Sequence, residues 1–353
     1  MKIAQIAPLW EAVPPRLYGG TERVVAHLCD ALVELGHETV LFSTAESQTK
    51  AELVAVRDQP IRLDPARLKS DLASHMIMLS EVRARAHEFD ILHFHIALLH
   101  FPFFEDVAGR TLTTLHGRLD IKGLQEAYDQ WPQYALVSVS DDQRTRMPNA
   151  NWLGTVHHGV PPGLFQVSEK PEGYLAFLGR ISPHKRPDVA IAIAKRLGMR
   201  LKIAAKVDDV DAVYFREKIE PLLDHPLIEF IGEIGDAQKP GFLSGADALL
   251  FPIDWPEPFG LVMIEAMASG VPVVAWRNGA TSEVIEPGVT GFVISSDDEA
   301  VEAVLKARTL NRRNIRRRFE LRYSAATMAR HYVELYERLA LKRTPDAKLM
   351  PPL

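Results

Sequence analysis

The chain has 353 residues, of which 47% are hydrophobic and 25% are charged, and this length predicts two domains of roughly 150 to 180 residues. No stretch approaches the roughly 20 apolar residues of a membrane-spanning helix, and a single cysteine, Cys29, excludes an internal disulfide and agrees with a cytoplasmic location. The net charge of −5 arises in residues 1–168, where 15 Lys and Arg face 20 Asp and Glu, so this half is a poor candidate for binding nucleic acid or an anionic membrane.

The first predicted elements are a strand, a glycine-rich turn and a helix. Residues 2–9 form an apolar strand that is too short for a signal peptide. Gly19-Gly20-x-Glu22 then leads into a helix, and residues 37–44 form the next strand. This order is typical of a doubly wound α/β domain, whose turns carry ligands at the carboxyl ends of strands. The two glycines would let the backbone approach a ligand, but the motif lacks the G-x-G-x-x-G pattern and fits a plain helix entrance equally well.

The alternation of strand and helix continues to residue 160 and predicts a parallel sheet. The predicted helical stretches are 68–87, 101–108 and 123–129, and the predicted strands are 89–96, 111–116, 134–140 and 152–160. His93 and His95 project from one face of a strand, and without a third ligand at short spacing, packing or substrate binding is favoured over a metal site. His116 ends a strand and precedes Gly117, which permits a tight turn and places the histidine for chemistry.

A segment rich in Pro and Gly, residues 161–173, is predicted to link the two domains. The second domain has predicted strands at 174–178, 200–207, 228–234, 248–252, 271–276 and 291–294. The expected domains are 1–165 and 166–322, each a doubly wound parallel sheet, and an amphipathic final helix, 325–341, is expected to pack back on the first. A basic run from Arg312 to Arg322 is interpreted as a solvated helix face in preference to a partner or membrane contact. The tail after Arg343 is expected to be disordered.

Two cations follow the first strand of the second domain. Arg180 and Lys185 are predicted to lie on a loop at the carboxyl edge of the sheet, and Pro187 suits the first turn of the next helix. Such a pair can neutralise a diphosphate, with the arginine acting as a planar fork and the lysine as a mobile point charge. Solvated surface charge is the alternative.

An acidic loop followed by an apolar helix, residues 257–269, is the most informative stretch. Glu265 lies among apolar residues, where a carboxylate without a hydrogen bond is costly. Glu257 precedes the helix, where the N–H groups of Gly260 and Leu261 lack intrahelical acceptors and can bind an anion. Two acids that flank an anion site suit the hydroxyl groups of a sugar nucleotide. The alternatives are that Glu257 complements the helix dipole and that Glu265 meets a buried partner.

Five motifs taken together resemble the family-four retaining glycosyltransferases of GT-B fold. They are Gly19-Gly20-x-Glu22, Asp90-x-x-His93-x-His95, Thr114-x-His116-Gly117, Gly179-Arg180-x4-Lys185 and Glu257-Pro258-Phe259-Gly260-x4-Glu265. The match extends from the first strand to the final helix, and the spacing of the two glutamates is its most specific part. Residues 6–15 and 116–120 are similar to a subgroup that includes a sugar transferase of the avilamycin pathway. The resemblance implies two Rossmann-like domains that face a cleft.

The resemblance also implies roles for individual residues. The implied donor-binding residues are Gly19, Gly20, Arg180, Lys185, Ile234, Gly235, Phe259, Gly260, Leu261 and Glu265, and the implied catalytic residues are His116, Arg180, Lys185 and Glu257. In this assignment Arg180 and Lys185 bind the diphosphate, the base lies against residues 231–235, Glu265 binds the ribose and Glu257 binds the donor sugar. The resemblance also implies that His116 would lie near the reacting face of that sugar. His158 stands where the family usually has asparagine, which leaves the role of His158 open.

The implied reaction moves a sugar from a nucleoside-diphosphate sugar to a hydroxyl acceptor, which can be a sugar, a lipid-linked sugar or a small metabolite. Front-face attack would retain the anomeric configuration, and the two cations would stabilise the departing diphosphate. Because these cations replace a metal ion, no metal or other cofactor is expected, and Asp209-x-Asp211 is assigned to a helix start. The alternatives are a nucleotide-sugar isomerase of the same fold and a non-catalytic sugar-nucleotide binding protein.

Overall fold

The computed structural model describes residues 1–17 and 19–341, which form two parallel sheets of seven and six strands. The α/β fold class with two doubly wound sheets is therefore confirmed. The first sheet contains β1 (Lys2–Ile6), β2 (Glu38–Thr44), β3 (Glu52–Arg57), β4 (Ile91–Phe94), β5 (Thr111–Leu115), β6 (Ala135–Ser138) and β7 (Trp152–Thr155). The second contains β8 (Tyr174–Ile181), β9 (Arg200–Val207), β10 (Ile228–Gly232), β11 (Ala246–Phe251), β12 (Val273–Trp276) and β13 (Gly291–Ile294). The predicted disorder after Arg343 lies outside the described residues.

The strand order of each sheet places a ligand crevice at its centre. The first sheet runs β3-β2-β1-β4-β5-β6-β7 and the second runs β10-β9-β8-β11-β12-β13. In the first sheet, strands β1 to β3 are added toward one edge and β4 to β7 toward the other, so the order reverses between β1 and β4. The second sheet has the same reversal between β8 and β11. Loops on either side of such a reversal diverge to opposite faces of the sheet and leave a crevice at the carboxyl ends of the strands. The two domains present these crevices to each other.

Helices cover both faces of each sheet. They are α1 (Gly20–Glu34), α2 (Asp71–Ala84), α3 (Leu124–Asp129), α4 (Asp141–Arg144), α5 (Pro187–Leu197), α6 (Ala212–Tyr214), α7 (Glu220–Leu223), α8 (Lys239–Ser244), α9 (Leu261–Ala268), α10 (Thr281–Val284), α11 (Asp297–Ala307), α12 (Arg312–Tyr323) and α13 (Ala325–Leu341). The stretch predicted to be helical at 101–108 forms two 3₁₀ segments, Phe101–Phe103 and Glu105–Arg110. Further 3₁₀ segments are Ala86–Glu88, Pro162–Leu164 and Asp209–Asp211, and Phe215–Ile219 is π-helical. Helix α5 begins at Pro187, as predicted.

Strand β3 is missing from the sequence prediction. It lies at the edge of the first sheet and is buried only in part, so its residues lack the continuous apolar run of the central strands. Central parallel strands are covered on both faces and are apolar throughout, whereas an edge strand has a weaker signal.

Helix α13 follows the second domain in sequence but packs on the first sheet. Its Tyr332, Leu335 and Tyr336 are buried in one cluster with Leu28 of α1 and Ile91 of β4. Each large apolar side chain that is fully buried contributes about 2 kcal/mol. The C-terminal helix is thus a structural part of the first domain.

The chain crosses between the domains at two neighbouring points. Val160 N–H donates to the Tyr323 carbonyl at 3.0 Å, and Ala325 N–H donates to the Val160 carbonyl at 3.0 Å. Gly159 permits this approach, since a Cβ there would lie 2.5 Å from the Ser324 carbonyl oxygen. The two crossings therefore lie side by side and are joined by main-chain hydrogen bonds.

The interpretation of the basic run as a solvated helix face is wrong for three of its arginines. Arg312 donates to the carbonyls of Ser244 and Ala246 at 2.7 Å each. Arg316 donates to the Ala268 carbonyl at 2.6 Å and to the carbonyls of Pro162 and Phe165 at 2.9 Å each. Arg322 pairs with Glu286 at 2.7 Å. These arginines bind α12 to the second domain and the linker.

Each helix within residues 1–17 and 19–341 is too short or too polar to span a bilayer.

Candidate active site

A cavity of about 440 Å³ opens between the two sheets. One wall is built by the carboxyl ends of β8, β9 and β11, and the facing wall by the start of α1 and by His116 after β5. The volume is within the range of small-molecule binding sites. Both ligand crevices of the fold therefore contribute to one site.

Most of the residues predicted to form the site line this cavity. They are Gly20, His116, Arg180, Lys185, Ile234, Glu257, Phe259, Gly260, Leu261 and Glu265. Gly19 and Gly235 lie outside its lining. A Cβ at Gly19 would lie 2.8 Å from Pro15 Cβ, and one at Gly235 would lie 3.3 Å from the Arg16 carbonyl oxygen. These two glycines accommodate neighbouring protein atoms.

Glu265 has a buried cationic partner. It is 3% exposed on α9, and Lys239 Nζ of α8 lies 3.0 Å from its Oε1. Lys239 is 7% exposed and also contacts Asp236 at 3.2 Å, and Asp236 pairs with Arg23 of α1 at 2.9 Å. Burial raises the pKa of Asp236, but Arg23 and Lys239 outweigh it and hold that pKa below its usual range. One of the two carboxylate oxygens of Glu265 therefore has a buried partner, as the alternative interpretation of this residue expected.

Lys185 and Glu257 form an ion pair inside the cavity. Lys185 Nζ donates to Glu257 Oε2 and lies 5.2 Å from the ring centroids of both Phe251 and Trp255. The side chains are 17% and 11% exposed. Because the pair is enclosed and next to aromatic rings, its charges are screened less than those of a surface pair.

The loop that carries Glu257 is held by two glycines. Gly260 has φ 83°, and a Cβ there would lie 2.8 Å from Met263 Cε. A Cβ at Gly279 would overlap the main chain of Glu257, whose carbonyl accepts the Ala280 N–H at 3.0 Å. These close approaches fix the acidic loop against α10 and place the start of α9 at the cavity wall.

The structure corrects the position of Arg180, which lies on β8 and not on the loop after it. Its guanidinium is 3.5 Å from Asp208 and 3.4 Å from Asp211, and Lys206 lies 2.5 Å from Asp208. Burial raises the pKa of Asp208, but Lys206 and Arg180 together hold it below its usual range. Asp209–Asp211 is a 3₁₀ turn before α6, so the helix-start assignment is correct. Across residues 1–17 and 19–341, no cluster of three or more metal-ligating side chains occurs.

His116 belongs to a group of neutral imidazoles. Its Nε2 lies 2.8 Å from His95 Nδ1, and its ring stacks on His158 with centroids 5.2 Å apart. Burial lowers the pKa of His116 to about 3 and lowers the pKa values of His95 and His158 well below the ordinary range. His158 lines the cavity, and its ring meets Phe259 edge-on at 5.0 Å. Nδ1 of His116 and Nδ1 of His158 are buried and have no hydrogen-bond partner in the part of the chain that the structure describes.

Sequence reasoning missed several lining residues, among them Arg23, Lys239, Trp255 and Lys206, and it left the role of His158 open. Lys239 and Arg23 carry no local signal for the site, because Lys239 pairs with Glu265, 26 positions away, and Arg23 pairs with Asp236, 213 positions away. His158 had a signal in its departure from the family pattern. The cavity thus combines the basic residues Arg23, Arg180, Lys185, Lys206 and Lys239 with the acids Glu233, Glu257 and Glu265. Such a lining can bind an anionic group and accept hydrogen bonds from hydroxyl groups on either side of it.

Two family models match the chain. The model described as Glycosyltransferase Family 4 matches residues 18–210, more than half of the chain, and the model described as Glycosyl transferases group 1 matches residues 165–322. The phosphatidyl-myo-inositol mannosyltransferase of Mycolicibacterium smegmatis is 26% identical over 329 residues, which cover 84% of this chain and 82% of the relative. The glycogen synthase of Mycobacterium tuberculosis H37Rv is 26% identical over 354 residues, with 85% and 84% covered.

Solved structures share the fold. AviGT4, a glycosyltransferase involved in avilamycin A biosynthesis, is 25% identical with a TM-score of 0.75, and the match covers 96% of this chain and 98% of that one. Anabaena HepE, solved in complex with UDP and glucose, is 19% identical with a TM-score of 0.75, and covers 96% of this chain and 100% of its own. At that identity, the second match supports the GT-B architecture alone.

Proposed function

Because the chain belongs to glycosyltransferase family 4, we propose that it moves a sugar from a nucleoside-diphosphate sugar to a hydroxyl acceptor, with retention of anomeric configuration and without a metal ion. One observation carries the proposal: a single cavity between the domains brings the cations Arg180 and Lys185 together with the acids Glu257 and Glu265. A sugar nucleotide needs both kinds of group, cations for its diphosphate and acceptors for the hydroxyl groups of its two rings.

The diphosphate is assigned to Arg180, Lys185 and the start of α9. Arg180 has its partners Asp208 and Asp211 at 3.4 Å or more, and its side chain is 36% exposed, so it can turn to an incoming anion. Gly260 and Leu261 present the first backbone N–H groups of α9 to the same cavity. A nucleoside diphosphate gains negative charge as it leaves, and donors placed in advance stabilise that charge most in the transition state.

The two acids receive different parts of the donor. Glu265 lies on a buried helix and is held by Lys239, so it is fixed in place and is assigned to the ribose hydroxyls. Glu257 lies on the loop before α9 and is assigned to the hydroxyls of the transferred sugar, next to Lys185. The base is assigned to the lining around Ile234. Anabaena HepE, which has the same fold, has been solved with UDP-glucose, and this supports a nucleotide-sugar donor here.

The remaining chemistry needs no protein nucleophile. In front-face attack the acceptor hydroxyl approaches on the side from which the diphosphate leaves, and a phosphate oxygen takes its proton. Arg180 and Lys185 supply the positive charge that a metal ion would otherwise bring to the leaving group. The acceptor is assigned to the wall of the first domain, beside Thr21 and Gly117, and is a sugar, a lipid-linked sugar or a small metabolite.

A direct assay separates this proposal from its alternatives. A thermal-shift screen over nucleoside diphosphates and sugar nucleotides identifies the donor, and transfer of radiolabelled sugar is then measured for the wild type, Glu257→Ala and the control Glu217→Ala. Glu217 is exposed on the π-helical segment and lies outside the cavity lining. Transfer that is lost only in Glu257→Ala supports the proposal. Transfer at the wild-type rate in Glu257→Ala, epimerised donor without transfer, or donor binding without turnover would each reject it.

A further inference from the structure

A chain of buried hydrogen bonds runs from the cavity into the first domain. His116 Nε2 lies 2.8 Å from His95 Nδ1, and His95 Nε2 lies 2.8 Å from Gln5 Oε1. Gln5 Nε2 donates to the Tyr336 hydroxyl at 3.0 Å, and that hydroxyl lies 2.8 Å from His93 Nδ1. Gln5, His93 and Tyr336 are completely buried. These hydrogen bonds thus connect His116 with the C-terminal helix.

The hydrogen bonds fix which ring nitrogens carry protons. A neutral imidazole has one N–H and one lone pair. Gln5 Oε1 can only accept, so His95 Nε2 donates to it and His95 Nδ1 must accept. The donor to His95 Nδ1 is then His116 Nε2, which leaves the lone pair of His116 on Nδ1. Burial lowers the pKa values of both histidines, which agrees with neutral rings.

The Tyr336 hydroxyl is the partner of the Gln5 amide nitrogen in this orientation. Gln5 donates through Nε2 to the tyrosine hydroxyl, and the hydroxyl donates in turn to His93 Nδ1. His93 Nε2 then donates to Thr114 Oγ1 at 2.8 Å. A reversed Gln5 amide would reverse every bond of the chain and place the proton of His116 on Nδ1.

We propose that Gln5 and Tyr336 are positioning residues that hold His116 in the Nε2–H tautomer, so that its Nδ1 lone pair accepts a hydrogen bond from a hydroxyl group of the sugar-nucleotide donor. Nδ1 is the ring nitrogen that has no partner among the described residues, and His116 lines the cavity. A lone pair binds a hydroxyl and repels a carboxylate or a phosphate oxygen. The position is therefore selective for a neutral sugar group. This role rests on the proposed sugar transfer.

Nitrogen-15 NMR of the full chain labelled in histidine tests the tautomer. The His116 signals, identified by their loss in His116→Gln, are expected to show a protonated Nε2 and an unprotonated Nδ1. In Gln5→Leu, which removes the acceptor for His95, the second tautomer is expected to appear. Turnover should fall about tenfold, since one orienting hydrogen bond is lost, while the KM for the donor should change less than kcat because the groups assigned to the diphosphate and the nucleoside are untouched.

Two further variants keep the test decisive. Tyr336→Phe leaves the apolar contacts of α13 in place and frees the Gln5 amide, so the second tautomer should appear there as well, even if Gln5→Leu does not fold. Thr113→Val is the matched control, because it removes a buried hydrogen bond to His100 from the same strand as Thr114 but outside the chain. A proton on His116 Nδ1 in the wild type would overturn the proposal, and so would variants with an unchanged tautomer and turnover. If no donor is turned over by the wild type, the proposed function fails, while the NMR result still decides the tautomer.

Discussion

Replacing Lys185 with methionine should slow sugar transfer far more than it disturbs the fold. Lys185 Nζ is hydrogen-bonded to Glu257 and lies 5.2 Å from the centroids of Phe251 and Trp255. Methionine retains an apolar side chain next to both rings and removes the charge together with its hydrogen bond to Glu257.

The magnitude follows from the enclosed position of the ammonium group. At an effective dielectric constant of about 20, two unit charges about 4 Å apart interact by about 4 kcal/mol. Part of this attraction already acts on the diphosphate of the bound donor. About 3 kcal/mol is left for the charge that develops as the diphosphate departs. This value matches the cost of removing one hydrogen-bond donor from an oxyanion-binding site. This corresponds to a decrease in kcat of roughly 100-fold, and kcat/KM should fall at least as much because it also includes the lost attraction to the bound donor.

Initial rates with a radiolabelled donor measure the effect. Lys218→Met is the matched control, because Lys218 is exposed on the π-helical segment of the same domain and lies outside the cavity lining. Equal thermal midpoints for the two variants would show that both are folded. A value of kcat/KM for Lys185→Met within about threefold of the control would refute the assignment of Lys185 to the leaving group.

Three further predictions concern acids and metal dependence. Glu265→Gln should weaken donor binding about tenfold with little change in kcat, whereas Glu257→Gln should lower kcat more than donor affinity. Calorimetry measures donor affinity and steady-state kinetics measures kcat. The reverse pattern would contradict the roles assigned to the two acids. Burial raises the pKa of Glu22 from 4.5 to about 7, so the folded protein favours the protonated carboxyl group. The free energy of unfolding therefore contains the full contribution of this group below pH 4.5 and loses it as the pH rises to 7. Glu22→Gln should therefore be more stable than the wild type by about 3 kcal/mol at pH 8 and by little at pH 4.5, and parallel thermal midpoints of the two proteins across this range would be inconsistent with the pKa shift. Turnover should persist in EDTA, and loss that magnesium or manganese restores would overturn metal independence.

The fold was predictable from the sequence wherever burial leaves a continuous pattern. The predicted strands 200–207 and 291–294 match β9 and β13, and the predicted helix 325–341 matches α13. The resemblance to family-four glycosyltransferases is confirmed by the matching family model. Edge strand β3 was missed because it is covered only in part.

Contacts between distant residues could not be predicted in the same way. Arg316 was interpreted as solvated because its local sequence is basic, but its partners include the Pro162 carbonyl, 154 positions away. Lys239 meets Glu265 only after α8 and α9 pack together. The motifs therefore identified many of the groups that line the cavity, and the partners that hold those groups became visible only in three dimensions.

The anomeric configuration of the product tests the central claim most directly. The wild-type protein is incubated with its α-linked donor and an acceptor, and the anomeric proton of the new glycosidic bond is examined by NMR. Retaining transfer in the cavity between the domains predicts an α-linked product. A β-linked product, or free sugar without a glycosidic product, would contradict it.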